Sequence, residues 1–295
     1  MNVSFANCHF HSIFSDGDFS PEWLVAKAKE LGHKAVVLTD HDTIRGCYFL
    51  KKAARKAGLL SLTGCEFSVQ SPYGGAHLTA FDFNTENERI RALFKKISPM
   101  QTERTRLLFE WGIKSGNLRK GITWKEVTER FPDNDYLCNN QIFALMVERG
   151  IYKPEEYAVE FMARNFAQSV DKTSDCYEEI LAVKAKGVPD LEEVISTVIH
   201  AGGVPVIAHP SGMESRAEEL MRLGVMGFET HHPDLSPEDE RFFDAFCTEH
   251  NLYKMGGTDH SGPMGCPAPG HGDMPADCGG TSEEEFMKLY NRVLG

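Results

Sequence analysis

Residues Ala35 to Asp42 read AVVLTDHD. Three apolar β-branched or aliphatic residues follow Ala35, and the run has the composition of a strand buried on both faces. It ends in three consecutive ionisable side chains, Asp40, His41 and Asp42. A hydrophobic strand has no structural reason to end that way. In parallel α/β sheets and barrels, however, the loops at the carboxyl ends of strands converge on one face and build the active site.

The flanking sequence continues the pattern. Asn2 to Phe10 is expected as a strand running into a polar turn, Ser12–Asp18. Ser20 and Pro21 supply a hydroxyl cap and a proline at the first helical position. Leu24, Ala28 and Leu31 give the helix its apolar stripe, and Gly32 ends it. A second helix carries Cys47, Leu50, Ala54 and Ala57 on one side and closes at Gly58. Strands are expected at Leu59–Thr63 and Ala76–Phe81. Strand–helix–strand repetition implies parallel strands with right-handed crossovers, hence an α/β fold.

From about residue 84 to 189 strand-like runs disappear. Helices are expected at Glu103–Trp111, Asn140–Glu148 and Glu156–Phe166, which predicts an inserted helical subdomain covering the site. The α/β rhythm then resumes. Leu191, Val194, Ile195 and Val198 line one face of a helix that Gly202-Gly203 terminates. Strands follow at Val204–Ala208, Met226–Thr230 and Tyr253–Thr258, with Ser236-Pro237 opening a helix between the last two. A Gly/Pro-rich loop, Ser261 to Gly280, precedes a closing helix capped by Ser282, with Glu285 three residues on. Residues 1–83 and 190–295 thus form the α/β body, with 84–189 inserted.

With 295 residues the chain can bury a core without a disulfide or structural metal. The net charge of −12 disfavours stable binding to nucleic acid, which relies on clustered Lys and Arg. An acidic protein that handles phosphate must supply positive charge locally, and metal ions do that. The eight cysteines show no CxxC spacing and read as reduced thiols. No basic-then-apolar leader opens the chain, and no apolar run approaches the ~20 residues of a membrane helix. A cytoplasmic protein without membrane attachment is the expectation.

Six of the twelve histidines fall at or near predicted strand ends: His9, His11, His41, His77, His209 and His260. Asp16, Asp40, Asp42, Glu66 and Asp259 fall at the same places. In His9-Phe10-His11 the two imidazoles point the same way from a strand while Phe10 packs on the other face. Glu66, after Gly64-Cys65, would be a carboxylate able to bridge two cations, and Asp259-His260, after Gly256-Gly257, completes the set. Imidazole and carboxylate without thiolate suit Zn, Mn or Fe. Cys8 and Cys65 alternate with His9 and Glu66 and are expected as buried thiols. His33, His200 and His250, at helix C-termini, are expected as imidazolium favoured by the helix dipole. His271 has no assignment. For His232, in His231-His232, substrate contact is favoured over ligation.

These residues resemble the PHP family (polymerase and histidinol phosphatase). The matching stretches are HFHSIFSDG (His9 to Gly17), TDHD (Thr39 to Asp42), GCEFS (Gly64 to Ser68), AHL (Ala76 to Leu78), IAHP (Ile207 to Pro210) and GGTDH (Gly256 to His260). They occur in the family's order. The resemblance implies a distorted (β/α)7 barrel and two or three divalent ions. His9, His11, Glu66 and Asp259 would hold one; Asp16, His41 and bridging Glu66 a second; His77, His209 and His260 a third. It also implies hydrolysis of a phosphate ester by metal-bridged hydroxide while a protonated side chain assists the leaving oxygen, with His41, Glu66 and His260 as candidate catalytic residues.

Within the family the helical insertion is similar to that of enzymes acting on small phosphorylated metabolites, nucleoside 3′,5′-bisphosphates included. Those enzymes carry arginine in the insertion and shortly after the HP motif. Here Asn139-Asn140-Gln141 and Ser211-Gly212 stand there, leaving Arg104, Arg106 and Arg216, with Asn139, Gln141 and His232, as candidate substrate contacts. The final His also departs, lying next to Asp259 rather than two residues on. The expected substrate is therefore a small nucleotide or sugar phosphate, with a cyclic phosphate as the alternative. An amidohydrolase acting on C–N bonds is disfavoured because Glu66, not lysine, holds the bridging position. A module working with a DNA polymerase is disfavoured by length and charge.

Overall fold

The computed structural model describes residues 4–166, 177–262 and 280–292. His271, Cys176, Cys266 and Cys278 lie outside the described residues. Those residues form a mixed α/β fold. Strands β1 (Ala6–Asn7), β2 (Ala35–Val36) and β3 (Leu60–Ser61) make a small parallel sheet. β4 (Gly64–Ser71), β5 (Gly74–Phe81), β6 (Val204–Ile207), β7 (Gly227–His231) and β8 (Tyr253–Gly256) make a second sheet in that order.

Local chemistry explains the first helices. Ser20 caps α1 (Pro21–Leu31) by accepting from the Trp23 N–H, and Gly32 ends it in the left-handed conformation at φ 102°. Gly58 does the same for α2 (Arg45–Ala57) at φ 76°. Both helices bury Leu24, Ala28, Leu50 and Ala54 against Val36 and Leu38. Regular pairing of β2 is shorter than the apolar run predicts, yet Ala35 to Leu38 are fully buried.

The expectation of parallel strands throughout fails at the middle of the chain. β4 pairs β5, and β5 pairs β6, in antiparallel fashion. The short Pro72-Tyr73 connection explains this, because a parallel pair needs a crossover of a dozen or more residues. Glu66 therefore lies inside β4 rather than beyond a strand end, and His77 lies midway along β5. β6–β8 are parallel, with β7 followed by α9 (Pro237–Glu249) under the Ser236 cap. Among the described residues no continuous ladder joins the two sheets into the (β/α)7 barrel that the resemblance implies. Isolated bridges instead join the two sheets, Phe10 to His260 and His41 to Glu66.

Between β5 and β6 the described residues carry helices and no strand. α3 runs from Glu88 to Ser115, far longer than Glu103–Trp111, because Pro99 sits within it without ending it. Asn87 caps its start through two backbone N–H groups. α4 (Trp124–Arg130), α5 (Asn139–Glu148), a π-helix (Tyr157–Phe166) and α6 (Tyr177–Gly187) follow. Phe109, Val127, Ile142, Phe143, Tyr157 and Phe161 pack into a core of their own. α7 (Leu191–His200) instead joins the core of β4–β7, with Leu191, Val194, Ile195 and Val198 buried there. α8 (Ala217–Arg222) lies between β6 and β7, and α10 (Glu283–Tyr290), capped by Ser282, follows β8.

Candidate metal centre

Glu66 is the centre of the site. Its side chain is 1% exposed, and five imidazole nitrogens stand around its two oxygens. Oε2 faces His9 Nε2 at 3.1 Å, His11 Nε2 at 3.3 Å and His41 Nδ1 at 3.3 Å. Oε1 faces His77 Nδ1 at 3.1 Å and His209 Nε2 at 3.3 Å. The two sheets bring these residues together: His9 and His11 leave β1, His41 leaves β2, Glu66 and His77 belong to the antiparallel pair, and His209 follows β6.

Two aspartates flank the cluster. Asp259 Oδ1 lies 2.8 Å from His11 Nε2 and 3.4 Å from His9 Nε2. Asp16 lies 3.4 Å from His11 Nδ1 and 3.9 Å from His41 Nε2. Ligand atoms of His9, His11, Glu66 and Asp259 all fall within 4.8 Å of one another, as do those of His11, Asp16 and His41, and those of His41, Glu66 and His77.

The backbone is bent to deliver these groups. Asp42, His209 and Asp259 have φ of 52°, 30° and 47°, a left-handed region that β-carbon-bearing residues seldom adopt. Such strain gathers at functional sites, where surrounding structure holds it. Gly257 is required for close approach, since a β-carbon there would fall 2.2 Å from the His9 backbone nitrogen. Asp40 organises the loop after β1 by accepting from the Ser12 N–H at 2.7 Å, the Ser12 hydroxyl and the Ser15 hydroxyl.

The electrostatics follow from burial and crowding. Burial lowers the pKa of His9, but the Glu229, Glu66 and Asp259 carboxylates outweigh it and hold the imidazole well above its ordinary value. Burial likewise opposes ionised Glu66, yet His9, His41 and His77 keep it well below the usual carboxylate range. His41 is pushed down to about 4, chiefly by burial. Asp42 is pushed up to about 7 by burial, against hydrogen bonds from Ser68.

Two residues of the cluster were not anticipated as ligands. Glu229, in the middle of β7, is fully buried and meets His9 Nδ1 at 2.7 Å, while its other oxygen accepts from the His209 N–H at 2.7 Å. A carboxylate inside the apolar run Met226–Thr230 was the available signal. His232 brings Nε2 within 3.4 Å of Asp259, and His9, Glu229 and His232 form a further convergent group.

Other predicted site residues stand elsewhere. His260 is buried with its imidazole stacked on Phe19, 5.7 Å between centroids and 4° from parallel, and it joins none of the convergent groups. Arg106 is tied to Glu103 and Glu110 one turn away on α3. Arg216 lies over the Tyr73 ring at 4.0 Å, outside the cluster. Asn139 donates to the Tyr157 hydroxyl at 2.6 Å, within the helical segment. Gln141 donates to the Ile13 and Ser15 carbonyls and accepts from the Cys138 N–H, so it latches α5 onto the loop after β1. Arg104 is half-buried on α3.

Cys8 and Cys65 are fully buried, and burial pushes Cys8 up to about 12 and Cys65 well above its ordinary value, so both are inert thiols. His33 corrects a different expectation. It is 1% exposed with Nδ1 at 2.9 Å from the Ser4 carbonyl, and burial lowers its pKa, so it is held neutral rather than as imidazolium. Among the described residues no helix is long and apolar enough to cross a membrane.

The chain belongs to the PHP family: the PHP domain model matches residues 7–184. It is a metal-dependent phosphoesterase, a hydrolase acting on phosphoric esters. The 3′,5′-nucleoside bisphosphate phosphatase of Chromobacterium violaceum is 26% identical, covering 92% of each chain. The 5′-3′ exoribonuclease Rnm of Escherichia coli is 23% identical, over 88% of this chain and 85% of its own. The phosphoribosyl 1,2-cyclic phosphate 1,2-diphosphodiesterase of Eggerthella lenta is 22% identical, over 87% and 94%. Among solved structures, a candidate metal-dependent phosphoesterase from Bifidobacterium adolescentis superposes with a TM-score of 0.76 at 24% identity, over 98% of this chain and 96% of its own. An amidohydrolase from Chromobacterium violaceum, with bound sulfate and no metal, gives 0.70 at 23%, over 99% and 98%. These two likenesses show the fold.

Proposed function

We propose that the chain hydrolyses a small phosphorylated metabolite, a nucleotide or sugar phosphate, at a centre of two or three divalent ions. The observation that carries this reading is the convergence of five imidazoles on the two oxygens of Glu66. The donor set fits such ions. His11 Nδ1 and His41 Nδ1 are buried without a hydrogen bond, and a cation satisfies buried lone pairs that no donor meets. Nitrogen and oxygen donors without thiolate suit Mn, Fe or Zn.

His9, His11, Glu66 and Asp259 would hold one ion, and Asp16, His41 and His77 would complete the site around Glu66, with His209 beside His77 at 3.1 Å. Bound ions supply activation of water and neutralisation of phosphoryl charge. The protein's own groups orient that chemistry. Glu229 fixes the His9 ring through Nδ1, so that Nε2 faces inward. Asp40 fixes the loop carrying Asp16. His41 stands at the cluster's edge, with Nδ1 3.3 Å from Glu66 and Nε2 3.9 Å from Asp16. The helical segment 84–189 acts as a cap, since Asn140 and Gln141 bond to the Asp16 and Ser15 carbonyls beside the cluster.

Small substrates fit the charge of −12 better than long nucleic acids, whose backbone the surface would repel. The test is to strip the protein with chelator, reload it with Mn, Fe or Zn, and assay three substrates side by side. These are a nucleoside 3′,5′-bisphosphate, a ribose 1,2-cyclic phosphate and a short 5′-phosphorylated RNA. Metal-dependent turnover of either small ester, with slower turnover of RNA, is the expected result. Preferred turnover of RNA would overturn the small-substrate reading.

A further inference from the structure

Arg104 is half-buried on α3, and its Nε is fully buried without a hydrogen-bond partner. Among the described residues its guanidinium forms no ion pair, whereas Arg106, two residues on, is bound by two carboxylates. A buried guanidinium nitrogen without a partner is costly, and an anion arriving beside it would offset that cost.

Helical spacing aims Arg104 at the site. Ser98 donates to the Asp42 carbonyl at 2.7 Å, and Gln101 Nε2 lies 3.3 Å from the Asp42 carboxylate. Arg104 is three residues beyond Gln101, on the same helix face and about 4.5 Å further along the axis.

Tyr136 lies in the segment before α5. That segment is pinned on both sides of Tyr136. Asp135 accepts from the Thr43 hydroxyl at 2.6 Å, and Cys138 Sγ lies 3.2 Å from the Ser15 carbonyl. Leu137 N–H donates to Thr102 on α3 at 3.0 Å. The segment carrying Tyr136 thus spans from the loop that delivers His41, at Thr43, to the loop that delivers Asp16, at Ser15, with Arg104 near enough to act on the phenol electrostatically. Its hydroxyl has no hydrogen-bond partner among the described residues.

We infer that Arg104 and Tyr136 contact the phosphoryl group being hydrolysed, from the side opposite the metal centre. This rests on the metal-centre reading above. The segments that carry Arg104 and Tyr136 are tied to the loops bearing Asp16 and His41, through Ser98 and Gln101 to Asp42, Asp135 to Thr43 and Cys138 to Ser15, so the pair is directed at an anion seated on the cluster rather than one further out on the substrate. Guanidinium and phenol donate to phosphoryl oxygens that face away from the ions, where charge develops during transfer.

The test uses the full chain, metal-loaded, as wild type, Arg104→Gln, Arg104→Lys and Tyr136→Phe. Each is assayed on p-nitrophenyl phosphate, which has one phosphate, and on a nucleoside 3′,5′-bisphosphate. Binding of inorganic phosphate is measured by calorimetry, and metal content by mass spectrometry. Arg104→Gln is expected to lower kcat/KM about 100-fold on both esters and to weaken phosphate binding about tenfold. Arg104→Lys restores part of this, and Tyr136→Phe costs about tenfold on both. Metal content stays at the wild-type level. A loss confined to the bisphosphate would overturn the inference in favour of a subsite for the second phosphate. Unchanged kinetics, or loss of metal, would also overturn it. Wild type that hydrolyses no ester would sink the metal-centre reading separately, and phosphate binding to Arg104→Gln would still decide the pair.

Discussion

Glu229 Oε1 lies 2.7 Å from His9 Nδ1, with both side chains fully buried. A carboxylate on the outer nitrogen fixes ring orientation and tautomer and raises the basicity of the inner nitrogen. Because its other oxygen accepts from the His209 N–H, Glu229 holds two edges of the centre at once.

Glu229→Gln is therefore expected to weaken metal retention by about 10- to 100-fold while the protein stays folded. Competition with a graded chelator, followed by circular dichroism, checks this. Wild-type retention would mean the 2.7 Å contact has no bearing on the ions.

The latch between α5 and the loop after β1 makes a second prediction. Gln141 satisfies two carbonyls and one N–H at nearly buried positions, so Gln141→Ala leaves those groups unmet. A loss of about 1–3 kcal/mol is expected from urea unfolding, together with faster proteolysis of the helical segment. An unshifted midpoint would show that the cap is held elsewhere.

Arg106 should be nearly silent. Its guanidinium is spent on Glu103 and Glu110, and exposed helix pairs contribute about 0.3–0.5 kcal/mol. Arg106→Ala is expected to leave KM within about twofold of wild type, in contrast to Arg104→Gln. A large rise in KM would restore Arg106 as a substrate contact.

His33 gives a pH signature. Burial lowers its folded pKa below the unfolded value near 6.5. Below that value the unfolded chain binds a proton that the folded chain resists, so stability rises with pH across this window. The contribution of neutral His33 is present above about pH 6.5 and is lost as pH falls toward the lowered folded value. Melting curves from pH 5 to 7.5 should show a shallower acid limb for His33→Gln than for wild type. Identical slopes would place the acid sensitivity in other groups.

Much of this centre was legible in the sequence because its residues close apolar runs. His9, His11, His41, His209 and Asp259 follow stretches whose composition marks them as strands, and period-2 alternation aims His9 and His11 together. Glu66 and His77 were legible as residues but not as geometry. The brief Pro72-Tyr73 turn, which forces β4 and β5 antiparallel, is a weaker signal than the strand–helix–strand rhythm around it. Glu229 was hidden for the opposite reason. It lies inside a strand, where alternation alone cannot distinguish a buried carboxylate from one facing water. His260 closes the GGTDH stretch, and what no spacing foretells is that its imidazole lies parallel to the Phe19 ring. The length of α3 was masked by Pro99, a residue that usually ends helices.

The most direct test is metal analysis of purified wild type and Glu66→Ala by inductively coupled plasma mass spectrometry. With five imidazoles gathered on this one carboxylate, wild type is expected to hold two to three equivalents of Mn, Fe or Zn, and the variant to lose most of them. Wild type without stoichiometric metal after reconstitution, or a variant that retains it fully, would contradict the account.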